Sequence, residues 1–172
     1  MLRFVFAVVA FALFAGSAAA AQKAAVFPFQ LVIPLKEEDF FSGSAKPSEA
    51  EQARLKLAHE EFTKLMTASG QFEFLDLTPM AAEIEAKSPI QDCKGCEIDF
   101  AKRVGAEIAY VVVVEKASDT VLNMNVSEID VGRAGVLRSF AAVVQGNTDS
   151  AWLGGVRWMV KNRLIAKKEA AP

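Results

Sequence analysis

Apolar residues that recur every three or four positions predict four helices. The longest spans Glu49–Ser69, and short helices are expected over Met80–Lys87 and Cys96–Val104. A final helix begins near Thr148 or Asp149, either of which can accept hydrogen bonds from the free amides of the first turn. The stripe of this last helix that is predicted to be buried consists of Trp152, Val156, Met159, Val160 and Leu164.

Runs of β-branched and aromatic residues predict five strands. Lys23–Leu35 is the first, with a bulge or a strand end expected at Pro28, and Phe72–Leu77 is a shorter one. Glu107–Glu115 has a core that is apolar at every position, which is typical of a central strand covered on both faces. Val121–Ile129 alternates between apolar and polar residues, as expected of a strand covered on one face. After a short turn, Val136–Gln145 is predicted to return as its antiparallel partner.

The order of these elements predicts the fold class. A strand, a helix and a second strand in succession favour parallel pairing, whereas the last three strands follow one another through short turns. We therefore expect one α/β (α+β) domain. Its five-stranded mixed sheet would have a parallel N-terminal part and an antiparallel C-terminal meander, with helices packed against it.

The first 21 residues predict a secretory signal peptide. Arg3 precedes the apolar run Phe4–Ala15, and the small residues Gly16–Ala21 offer an Ala-x-Ala cleavage pattern. The run is too short for a membrane-spanning helix, which needs about 20 apolar residues. No cysteine follows the cleavage point, so a lipidated protein is not expected. We expect residues 22–166 to form a periplasmic domain and residues 167–172 to fray.

Charge and composition narrow the classes of partner. The 172 residues carry 19 basic and 21 acidic side chains, a net charge of −2, and no basic stripe interleaved with aromatic residues. Nucleic-acid binding needs such a stripe and is therefore not expected. No apolar run after the leader approaches the length of a membrane span. Because the domain is predicted to be exported, we expect its partner to be an envelope or periplasmic protein.

The spacing Cys93-Lys94-Gly95-Cys96 is the one motif with chemical content. It can be a structural disulfide, a redox-active pair, half of a zinc site or part of a haem attachment motif. Glu97 stands where haem attachment needs His, and a zinc site would need two further ligands although the sequence has no other Cys and His59 is its only His. In an exported protein the spacing favours a structural disulfide. A thiol-disulfide redox protein remains the alternative function.

No catalytic residue, metal site or cofactor is predicted from the remaining residues. His59 is expected to face solvent in mid-helix, and Ser42-Gly43-Ser44 lacks the pattern of a nucleophile elbow. A small-molecule or metal carrier would need a pocket built from Glu37, Asp39, Asn123 and Asn125, all of which are better explained as surface residues.

The last helix holds the residues that could contact a partner or a ligand. Asn147, Asp149, Trp152 and Trp158 are the candidates. Trp158 lies six residues after Trp152, so the two cannot share a helical face, and Trp158 is expected to be partly exposed. The glycine pair at positions 154 and 155 is expected to permit close packing of the helix against the sheet.

Three sequence blocks resemble an uncharacterised family of small secreted proteobacterial proteins. They are Ala25-Val26-Phe27-Pro28-Phe29, the Cys pair followed by Ala101-x-x-x-Gly105-Ala106, and Gly146-Asn147-Thr148-Asp149-Ser150-Ala151-Trp152 with Asn162-Arg163-Leu164. Such domains are similar in layout to the amino-terminal domain of TolB and to CsgG-like envelope proteins. The resemblance implies an association with periplasmic quinoprotein alcohol dehydrogenases. Because the predicted core is complete and no coherent nucleophile, base or metal set is present, we expect a non-enzymatic accessory or binding protein that assists an envelope complex or such a dehydrogenase system.

Overall fold

Six strands and four α-helices form the part of the chain that the structure describes. The computed structural model describes residues 20–34 and 46–165. The strands are β1 (Gln22–Val26), β2 (Gln30–Val32), β3 (Phe72–Phe74), β4 (Ile108–Lys116), β5 (Val121–Asp130) and β6 (Gly135–Gln145). The helices are α1 (Glu49–Ala68), α2 (Ala81–Ala86), α3 (Cys96–Val104) and α4 (Asp149–Met159), with shorter helical turns at Thr78–Met80, Ile90–Asp92 and Val160–Ile165.

Three predicted segments lie outside these residues. The signal peptide is outside apart from Ala20 and Ala21, and so is the tail after Ile165. Residues 35–45, which include Glu37 and Asp39 of the carrier hypothesis, are outside as well.

The strands form one mixed sheet in the order β3-β1-β4-β5-β6, and β2 also pairs with β4. β1 is parallel to β3 and to β4, whereas β4, β5 and β6 are antiparallel neighbours. The predicted fold class is therefore confirmed, with a parallel N-terminal part and a C-terminal meander.

The strand count of five becomes six because the first predicted strand divides at Pro28. β1 ends at Val26 and β2 begins at Gln30, and both are parallel to β4. Proline has no backbone N–H and therefore cannot continue the ladder of hydrogen bonds. The Phe27 amide still donates to the Tyr110 carbonyl at 3.0 Å, so the interruption is short.

β4 lies at the centre of the sheet and is buried on both faces, as its apolar composition predicts. Tyr110 and Val112 pack with residues of α1 and α4 on one face. Ala109 and Val111 pack with residues of α2 and α3 on the other. The two layers of helices therefore make separate cores on opposite sides of one sheet.

One glycine of the predicted pair sets the distance between α4 and β6. A Cβ atom at Gly155 would lie 2.5 Å from Cγ2 of Val144, a buried β-branched residue of β6. Gly154 is exposed, and a Cβ atom there would meet nothing within 4 Å. The close packing expected of both glycines is thus required at Gly155 alone.

Gly155→Ala is expected to lower the free energy of unfolding by about 1–3 kcal/mol, because forcing a methyl group against stiff Val144 overpacks the core. That loss exceeds the gain of about 1 kcal/mol that alanine brings to a helix interior. Gly154→Ala is the matched control and should stabilise the protein by up to about 1 kcal/mol. Urea unfolding followed by circular dichroism measures both, and effects of the same sign would contradict this account.

Candidate functional site

The segment Asn147–Trp152 locks α4 onto the rest of the molecule. The Thr148 hydroxyl accepts a hydrogen bond from the Ala151 amide at 3.3 Å, which confirms Thr148 as the helix cap. The Trp152 side chain is fully buried, and its indole N–H donates to Oδ1 of Asn147 at 2.9 Å. Asn147 is therefore the polar partner that lets a tryptophan enter the core with its N–H satisfied.

Asn147 is in turn held by a buried carboxylate of α1. Oε1 of Glu51 accepts hydrogen bonds from Asn147 Nδ2 at 3.0 Å and from Lys116 Nζ at 3.1 Å. Oε2 accepts from the Ser48 amide and from the Ser48 hydroxyl, each at 2.9 Å. Glu51 thus joins the start of α1, the end of β4 and the start of α4 through one side chain.

Hydrogen bonding keeps this carboxylate ionised. Burial acts to raise the pKa of Glu51, but hydrogen bonds from the Ser48 backbone, Lys116, the Ser48 hydroxyl and Asn147 outweigh it. The pKa falls from 4.5 to about 2. At neutral pH the network therefore contains a charged, fully partnered group, which is the condition under which a buried charge is tolerated.

These contacts place two of the four candidate contact residues inside the molecule. Trp152 is fully buried, and the Asn147 side chain is engaged by Glu51 and by the indole. Asp149 is exposed and pairs with Arg54 at 2.9 Å. The Asn147–Trp152 segment caps and anchors α4, and a contact role stays a prediction for all four residues.

Trp158 lies on the outer side of α4, as the six-residue spacing predicts. Its side chain is 44% exposed, and the Arg163 guanidinium lies 5.4 Å from the centre of its ring. The ring borders a groove of about 390 Å³ between α4 and β6. Small residues line much of this groove, namely Ala141, Ala142, Ala151, Gly154 and Gly155.

β6 forms a long free edge of the sheet beside this groove. It is 11 residues long, and within residues 20–34 and 46–165 its one strand partner is β5, whereas the opposite edge, β3, has three residues. β6 contains no Lys or Pro, and its one charged residue, Arg138, is paired with Glu128 of the adjacent strand. Natural proteins usually protect an edge of this length with such residues or with a covering element.

Exposed apolar side chains are concentrated at the same edge. Among the described residues, four large hydrophobic side chains are exposed: Val136, Leu137, Val143 and Trp158. Three belong to β6, and the fourth lies across the groove on α4. Val143 alternates with Ala142 and Val144, which pack beneath α4, so it lies on the sheet face away from that helix. Leu137 is the extra residue of a β-bulge near the start of the strand. The edge is thus apolar above and below its free backbone.

A family model described as "Protein of unknown function (DUF2380)" matches residues 22–164, which include the whole Asn147–Trp152 segment. The chain belongs to the DUF3280 family. The prediction of an uncharacterised family is confirmed at this level, and the implied likeness to TolB and CsgG stays a prediction. No curated protein matches this DUF3280 chain.

Solved structures resemble this DUF3280 chain at low identity. The C-terminal domain of LpoB from Salmonella enterica is 16% identical, with 75% of this chain and 86% of that one covered and a TM-score of 0.47. The PelC dodecamer from Paraburkholderia phytofirmans is 13% identical, with 84% and 89% covered and a TM-score of 0.49. Lipoprotein GNA1162 from Neisseria meningitidis is 14% identical, with 83% and 98% covered and a TM-score of 0.49. All three TM-scores lie below 0.5.

The cysteine pair of this DUF3280 protein forms a disulfide at the start of α3. Cys93 and Cys96 have Cα atoms 5.6 Å apart and are half-buried against the core beneath α3. Glu97 Oε2 lies 3.4 Å from Cys93 Sγ, which makes this trio the one cluster with metal-ligand spacing among the described residues. Bonded sulfurs offer no thiolate ligand, and neither the fold nor the family match supports the redox alternative.

His59 departs from its predicted position on the surface. It is half-buried, and its ring meets that of Phe29 edge-on, with centroids 5.5 Å apart. The helical spacing of α1 shows only the stripe that faces the sheet. This spacing does not reveal that the loop after β1 also covers the adjacent position, His59. Burial lowers the pKa of His59, while the Phe27 carbonyl and the Glu60 charge oppose this effect.

None of the helices in residues 20–34 and 46–165 combines the length and the apolar character that crossing a bilayer requires.

Proposed function

We propose that this DUF3280 protein is a non-enzymatic periplasmic accessory protein that binds an extended segment of an envelope protein along β6. The observation that carries the proposal is the concentration of exposed apolar side chains on a long unprotected edge strand. Export depends on the predicted signal peptide, residues 1–21. The family match begins at residue 22, directly after the predicted cleavage point, and agrees with this division of the chain.

The backbone of β6 supplies the means of binding. A free edge presents a row of N–H and C=O groups that an added strand can pair with, and this pairing gives affinity with little dependence on sequence. Alternate side chains of the added strand would enter the groove beside α4. Because the groove is lined by alanine and glycine, it has room for apolar side chains of moderate size.

Charge at the groove favours a particular kind of segment. Arg163 lies over Trp158 at one side of the groove, and no acidic residue lines it. The other cation at this edge, Arg138, is already neutralised by Glu128. We therefore expect the bound segment to be apolar, with an acidic residue that reaches Arg163. An envelope complex and a quinoprotein dehydrogenase are the partners that the resemblance implies.

The proposal is tested by photo-crosslinking in the periplasm from position 139, an exposed site on β6. We expect crosslinks to one extended segment of an envelope protein. Val143→Lys and Trp158→Ala should reduce crosslinking by about tenfold or more, the size of effect expected for central contacts. Thr67→Lys adds the same charge at an exposed site at the end of α1 and should leave crosslinking unchanged.

The crosslinked segment, made as a synthetic peptide, then reports on the mode of binding. Binding by strand addition must slow hydrogen exchange of the outward-facing amides of β6. Binding without this protection would refute strand addition. Crosslinks mainly to a second copy of this chain, together with a dimer that Val143→Lys dissociates, would replace the proposed partner with self-association.

A further inference from the structure

A second cleft lies at the opposite edge of the sheet, where β3 ends beside the continuing first strand. Its volume is about 370 Å³, within the range of small-molecule sites. Pro28, Phe74 and Ile84 form apolar walls, and the polar residues of the lining are His59, Thr63, Asp76 and Thr78. This cleft is separate from β6 and plays no part in the proposed strand addition.

The topology favours a ligand at this position. β1 and β3 are adjacent parallel strands, and the cleft opens at their carboxyl ends. After β1 the chain continues through β2 before it reaches α1 on one face of the sheet, whereas the chain leaving β3 leads to α2 on the other. In open α/β sheets, ligands bind in the crevice that such diverging connections create.

The polar groups of the cleft define the chemistry it can recognise. His59 Nδ1 is buried without a hydrogen-bond partner among the described residues, and burial favours the neutral imidazole. Asp76 accepts a hydrogen bond from the Thr78 amide at 2.8 Å. Hydrogen bonds from Thr78 lower the pKa of Asp76, so its carboxylate is charged. A neutral imidazole and a carboxylate together disfavour an anion and suit a hydrogen-bond donor that carries positive charge.

We infer that this cleft binds a small amphipathic amine, with its apolar body against Phe74 and Ile84 and its ammonium group at Asp76. The apolar walls account for the body, and the carboxylate accounts for the charged head group. The inference is independent of strand addition at β6.

Three probes that share one body test the head group: 2-phenylethylamine, 2-phenylethanol and phenylacetate. Each is titrated into the ¹⁵N-labelled protein while amide and His59 ring resonances are recorded. We expect 2-phenylethylamine to cause saturable shifts at Phe74, Leu75 and Asp76. The alcohol should bind more weakly, and phenylacetate should not bind. Asp76→Asn should weaken amine binding by up to about fivefold, as expected for an exposed charge pair.

Two neighbouring alanines provide a matched pair of variants. Ala81 lines the cleft and Ala82 does not, although both are exposed in the first turn of α2. Ala81→Phe should abolish amine binding, and Ala82→Phe should preserve it. The inference is overturned if no probe gives saturable shifts at these residues, if phenylacetate binds as tightly as the amine, or if both variants behave alike. Trp158→Ala should not affect probe binding.

Discussion

Trp152→Ala is expected to lower the free energy of unfolding by about 3–5 kcal/mol, the usual range for removing a large buried aromatic side chain. Trp152 is fully buried in the core shared by α1, α4 and the sheet. Its loss leaves a cavity and also removes the donor that reaches Asn147. Urea unfolding of residues 22–172, followed by far-ultraviolet circular dichroism, measures the change. Trp152→Phe separates the two contributions, because it keeps most of the volume but not the N–H.

The same helix supplies the control. Trp158 is the same residue type six positions later, but it is 44% exposed at the groove. Trp158→Ala should change the free energy of unfolding by less than about 1 kcal/mol and still weaken binding at β6. A loss of stability as large as that of Trp152→Ala would mean that Trp158 is a core residue. A loss below about 1 kcal/mol for Trp152→Ala would refute its role as the anchor of α4.

Local sequence patterns were sufficient to predict the elements and the fold class. The apolar spacing after Pro47 predicts Glu49–Ser69, and α1 spans Glu49–Ala68. The continuous apolar run around Val111 predicts a strand buried on both faces, which β4 is. In both cases the signal lies within one element, a periodicity in α1 and an unbroken apolar run in β4, and burial depends on that element's own composition.

The contacts that define the candidate sites depend on residues far apart in the chain. Glu51 resembles an ordinary surface residue of a capping box, since Ser48 lies three positions before it. Its burial depends on Asn147, 96 residues later, and on Lys116. Nothing within α1 indicates those partners. The same reason applies to His59. Helical spacing predicts it on the surface, but Phe29 covers it from another part of the chain.

The role of β6 as a free edge could not be derived from its sequence either. Val136–Gln145 is predicted to be a strand that pairs with Val121–Ile129, but the number of its neighbours depends on how the whole sheet is ordered. The absence of Lys and Pro was visible, yet it becomes informative only once the strand is known to be an edge. The partial exposure of Trp158, in contrast, is predictable from the sequence, because it depends only on the geometry of its own helix.

Acid should remove the stabilisation that Glu51 provides. The folded-state pKa of about 2 lies below the ordinary value of 4.5, so the unfolded chain takes up a proton first as the pH falls. The stabilisation is complete above pH 4.5 and is lost progressively towards pH 2. The shift in the pKa of Glu51 corresponds to at most about 3 kcal/mol of stabilisation.

Glu51→Gln isolates this contribution from that of the other carboxylates. At pH 7 the variant should be less stable by about 2–3 kcal/mol, because the amide loses the charge that pairs with Lys116 and cannot accept every hydrogen bond. The difference in unfolding free energy between wild type and variant should then narrow as the pH is lowered from 4.5 to 2. Glu60→Gln, an exposed site on the same helix, should follow the wild-type profile throughout. A difference that stays constant with pH would show that the loss of stability does not come from the charge of Glu51.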